Sequence, residues 1–133
     1  MNFKGFHHIG LFSKDTKKSL EFYTKGLGGE IVSSFPLPGD ESKWIYLVDL
    51  GGNSVIEIIP LGVDEPEERA RWAHVCFNTE DVKSAYEAAV AAGAKTRSAP
   101  NDVTLGTVMD VTNAFVYGPD DEIIEFFNVK KYL

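Results

Sequence analysis

The chain has 133 residues, of which 44% are hydrophobic and 25% charged, and its formal net charge is −7. That is enough for one domain with a proper core, and the acidic balance disfavours nucleic acid, whose phosphates call for a basic surface. No apolar run is long enough to span a membrane and Met1-Asn2-Phe3-Lys4 lacks an apolar signal core, so a cytoplasmic protein with no membrane partner is expected.

In chain order, residues 7–12 read as a strand, followed by Ser13 and Asp15, good residues for starting a helix. The spacing of Leu20, Tyr23 and Leu27 predicts a helix over 16–25, stopped by Gly26-Leu27-Gly28-Gly29. A strand is expected at 30–35, a turn at 36–41, and a hairpin of strands 43–50 and 54–60 around Gly51-Gly52-Asn53. The charged, Pro-containing stretch 62–71 reads as a linker. A strand at 73–78 and a helix at 81–92 follow, with Val82, Tyr86, Ala89 and Val90 on its apolar face. Then come a strand at 95–98, an irregular stretch at 100–108, and a hairpin turning at Gly118-Pro119-Asp120-Asp121. Cys76, the single cysteine, falls between Val75 and Phe77 in what reads as a buried strand, where packing is the expected role.

The chain is one unit written twice. His8 falls on His74, Asp15 on Asp81, Lys17 on Lys83 and Glu21 on Glu87, all at an offset of 74 − 8 = 66 residues. Each copy closes on an apolar strand with one acid inside it, Glu57 in Val55-Ile56-Glu57-Ile58-Ile59 and Glu125 in Ile123-Ile124-Glu125-Phe126-Phe127. A carboxylate among such neighbours is costly to bury unless something pairs with it. Two imidazoles and two carboxylates at matched positions point to a divalent metal. His7, beside His8, is expected on the opposite face because strand side chains alternate. The expected fold class is α+β: a single domain over 1–133 made of two tandem β-α-β-β-β modules, about 5–61 and 72–129, in pseudo-twofold relation.

His8-Ile9-Gly10 with Asp15, Glu21-Phe22-Tyr23, Leu27-Gly28, Gly118-Pro119-Asp120 and Ile124-Glu125-Phe126-Phe127, taken in that order, resemble the vicinal oxygen chelate superfamily. That superfamily includes glyoxalase I. The resemblance covers essentially the whole chain and implies two modules framing a metal-holding cleft. Its ligand positions fall on His8, Glu57, His74 and Glu125, and the His-Glu-His-Glu set is most similar to bacterial glyoxalase I. It suits one Zn, Ni, Co or Mn ion per site and no organic cofactor.

The implied activity is that of a lactoylglutathione lyase-like enzyme acting on a small-molecule substrate. A metal open at two positions holds neighbouring oxygens and stabilises an enediolate as a proton leaves the carbon beside the carbonyl. By resemblance, Glu125 is the base and Glu57 a ligand or second proton carrier. Glutathione-using members place an arginine where this chain has Phe12, and a polar residue where it has Leu61. An apolar side chain cannot grip a carboxylate as an arginine does, so another thiol adduct or an unrelated vicinal oxygen compound is expected as substrate. The alternative is a non-catalytic antibiotic- or metabolite-binding protein of the same fold. Family likeness also implies a homodimer.

Overall fold

The computed structural model describes residues 6–64, 74–105, 107 and 109–133. Contacts between Cα atoms divide the chain into two compact units, Met1–Pro66 and Glu67–Leu133. Each unit has the same element order.

In the first module, β1 (Ile9–Phe12) leads into α1 (Thr16–Glu21), which continues as a π-helical turn, Phe22–Gly26. Strands β2 (Glu30–Leu37), β3 (Asp40–Asp49) and β4 (Val55–Ile59) follow, and the sheet order is β1-β4-β3-β2. Only the β1–β4 pair is parallel. Asp15 starts the helix as expected, its carboxylate accepting the Lys18 N–H at 3.1 Å. Phe22 and Tyr23 of the π turn are buried, and Gly28 takes a positive φ of 78° just beyond.

The second module repeats this with β5 (Val75–Asn78), α2 (Val82–Ala91), β6 (Lys95–Leu105), β7 (Met109–Tyr117) and β8 (Ile123–Tyr132), in sheet order β5-β8-β7-β6. Asp81 caps α2 through the Ser84 N–H at 3.0 Å, and β5 pairs with β8 in parallel.

Alternation sorts each sheet into two faces. In the first, Leu11, Val48, Ile56 and Ile58 are buried on the face that α1 covers. In the second, Ala114, Val116, Ile124 and Phe126 do the same beneath α2. Glu57 and Glu125 therefore point to the faces away from the helices.

Three expectations needed correction. The turn at 36–41 shrinks to residues 38–39, because β2 runs on to Leu37 and β3 begins at Asp40. The stretch 100–108 is not irregular throughout: β6 continues to Leu105 with register shifts on either side of Ser98. Pro100 lies in the second shift, where its missing N–H interrupts no ladder bond. Cys76 is on a strand, but on its exposed side. The expected linker lies largely outside the described residues.

The turn into β8 has its own lock. Glu122 is buried, and its carboxylate Oε1 accepts the Asp120 N–H at 3.2 Å. It lies against Gly118, where any Cβ would strike that carboxylate. This turn leads directly into the strand that carries Glu125.

Candidate metal centre

The repeat brings one imidazole and one carboxylate together in each module. His8 directly precedes β1, and the Gly10–Glu57 register of the parallel β1–β4 pair puts its ring beside the β4 carboxylate. His8 Nε2 lies 3.7 Å from Glu57 Oε2. In the second module the register is Cys76 with Glu125, and His74 Nε2 lies 3.4 Å from Glu125 Oε2. Among the described residues, no three or more His, Cys, Asp or Glu donors form a metal cage; what the structure gathers is two pairs.

Both separations exceed an ordinary hydrogen bond. They bracket the spacing of two ligands on one tetrahedral ion, roughly 3.4 Å for bonds of about 2.1 Å. Each pair, taken within its own module, therefore fits two positions on a divalent ion.

The surroundings of the donors were not all foreseen. His7 is not on the far face from His8: both precede β1, so strand alternation does not apply to them, and their Nδ1 atoms are 2.9 Å apart with rings edge to face. One Nδ1 must donate to the other, which leaves His8 Nε2 for Glu57 or a metal. Asn113, on β7, donates from Nδ2 to Glu125 Oε1 at 3.1 Å. It is buried, and the sequence does not single it out, because β7 also carries the polar Asp110 and Thr112.

Cys76 adds a second contact on Glu125. Although the residue as a whole is exposed, desolvation of the thiol pushes its pKa up to about 12, helped by the charge of Glu125 and a hydrogen bond to it. The thiol therefore stays protonated and acts as a donor to the carboxylate. The ring of Phe115, opposite Glu125 across the β7–β8 ladder, meets His74 nearly edge-on at 6.1 Å. Phe12 lies on the same face as Glu57 and is 55% exposed; Leu61 is also exposed.

Residues 5–126 match the family described as the Glyoxalase/Bleomycin resistance protein/Dioxygenase superfamily. A curated relative, the uncharacterized protein YetH of Bacillus subtilis (strain 168), is 25% identical over 99 residues, 74% of this chain and 81% of its own. A V278E glyoxalase I mutant from Zea mays superposes with a TM-score of 0.70 at 20% identity, covering 91% of this chain and 43% of that one. TnmS3, an antibiotic binding protein from Streptomyces sp. CB03234, gives 0.75 at 16% identity, covering 98% and 99%. At these identities the structural matches speak for the fold.

Proposed function

We propose that this chain, which belongs to the Glyoxalase/Bleomycin resistance protein/Dioxygenase superfamily, is a metal-dependent lyase or isomerase moving a proton within a small vicinal oxygen substrate. The observation that carries the reading is the His–Glu pairing at 3.7 and 3.4 Å, repeated on the helix-free face of both sheets. His8, Glu57, His74 and Glu125 would hold one Zn, Ni, Co or Mn ion per site in a homodimer, without an organic cofactor. Such an ion, when bound, supplies Lewis acidity that eases removal of a proton from the carbon beside a carbonyl.

The chain's own groups then handle the proton. Asn113 occupies Glu125 Oε1, so Oε2 is the atom presented on the open face to receive it. Glu57, whose side chain is 19% exposed, is the second proton carrier. Return of the proton to the neighbouring carbon gives an internal redox isomerisation of a 2-oxo thiohemiacetal; return to the same carbon gives epimerisation. Phe12 in place of a carboxylate-binding arginine argues against glutathione as the thiol.

Elemental analysis of protein purified without chelator tests this, with Glu125→Gln alongside. About one equivalent of a divalent metal per site, bound more weakly in the variant, is expected, followed by turnover of 2-oxoaldehyde–thiol adducts. A second reading, a binding protein without turnover, draws on the exposed apolar side chains of Phe12 and Leu61 and on the fold shared with TnmS3. Protein that takes up none of these ions would favour it.

A further inference from the structure

We propose that Arg97 is an anion subsite, and that the molecule bound at His74 and Glu125 carries a carboxylate that Arg97 receives. This rests on the reading that those two residues bind oxygen ligands through a metal, and it names the class of ligand.

Arg97 sits in the first register shift of β6, between Thr96 and Ser98. The Thr96 hydroxyl is tied to Tyr86 of α2 at 2.7 Å, on the helix-covered side. The extra residue in the bulge re-aims the next side chain. Arg97 Cζ consequently lies 5.9 Å from the ring centroids of both Phe115 and Tyr117. Phe115 stands opposite Glu125 and touches the His74 ring, so the guanidinium shares the open face of the donor pair. From β8 to β6 is two strand spacings, roughly 10 Å between backbones. Side chains leaning over that gap bring the charges within reach of the two ends of one small molecule.

The cation has, among the described residues, rings for a seat and no acid for a partner. Among the described residues Arg97 forms no ion pair, whereas Lys14, Lys43 and Lys83 each have one. That is notable in a chain with 20 acidic and 13 basic residues. Rings that hold the planar group leave its N–H edge free for a bidentate acceptor. The arrangement is particular to the second module: the matching register shift in β2 carries Val32, with Leu47 where Phe115 stands.

The test uses the full-length protein loaded with Co(II), titrated by visible absorption with 2-oxoglutarate and with 2-oxopentanoate. The two share the oxygen-chelating end and differ in the distal carboxylate. Wild type should bind the dicarboxylate at least tenfold tighter. Arg97→Gln should abolish the preference and Arg97→Lys should keep part of it. In labelled protein the Arg97 Nε–H resonance should shift with 2-oxoglutarate alone. Equal binding of the two probes by Co(II)-loaded wild type, or a preference that survives Arg97→Gln, overturns the subsite and leaves the metal reading standing. Failure of wild type to take up Co(II) overturns both.

Discussion

Glu57 and Glu125 occupy the same place in two copies of one module and are held in opposite ways. Glu125 is braced: Asn113 donates to one oxygen, the Cys76 thiol adds a second donor, and its side chain is 9% exposed. At the matching positions around Glu57 stand Ile45, two residues before the cross-strand partner Leu47, and Gly10. Neither offers a side-chain donor, and among the described residues His8 is the one polar partner of Glu57. The imidazoles reverse this pattern. His8 has His7 on its Nδ1, while His74 leans on the ring of Phe115. The repeat thus carries the donor atoms, and each copy supplies its own supports. One module holds its imidazole, the other its carboxylate, and this gives two nominally equivalent acids different freedom to move.

The sharpest way to break the contrast is Asn113→Ile, which writes the residue of the first module into the second. Glu125 would lose a donor inside a buried site, at a cost of about 1–3 kcal/mol of stability, read by urea unfolding of the metal-free protein. Outer-shell donors of this kind are also worth about 10–100-fold in metal affinity, which competition titration with a chromogenic chelator measures. Asn113→Ser, with a shorter donor, should lie between. Wild-type affinity in both variants would mean that Glu125 needs no brace. A smaller effect is expected from His7→Phe, which keeps the ring and removes its nitrogens. Both histidines are exposed, so stability should stay within about 0.5 kcal/mol while metal affinity falls by roughly tenfold or less.

The depth to which these supports could be read from sequence follows the range of the interactions involved. Helix starts at Asp15 and Asp81 are local chemistry, a carboxylate reaching an N–H three residues on, and they were legible. The matched positions of His8 with Glu57 and of His74 with Glu125 were legible because a repeat prints them twice, and the structure sets each His beside its Glu. Asn113 and Arg97 depend on cross-strand register and on a bulge, neither of which leaves a mark within a few residues. The strand around Pro100 was hidden for the same reason: proline argues against a ladder unless the ladder slips there, and slippage is decided by the partner strand. His7 departs from the alternation expected of it because β1 begins at Ile9, two residues further on.

The finest test of the comparison is the chemistry of Cys76 itself. With its pKa near 12 against an ordinary 9.0, the thiol should be about a thousandfold poorer in thiolate at neutral pH than a free cysteine, and alkylation by iodoacetamide correspondingly slow. The sign follows from the causes. Burial, the largest, disfavours the charged form; the negative charge of Glu125 repels a second one; and the hydrogen bond to Glu125 is lost when the thiol gives up its proton. In metal-free Glu125→Gln the repulsion vanishes and the hydrogen bond weakens, while burial remains. The pKa should then fall only part of the way towards 9.0, and alkylation at pH 8 should quicken several-fold without reaching the rate of an open thiol. A rate unchanged by Glu125→Gln would mean that burial alone governs the thiol, and that Cys76 is a neighbour of the carboxylate without being one of its braces.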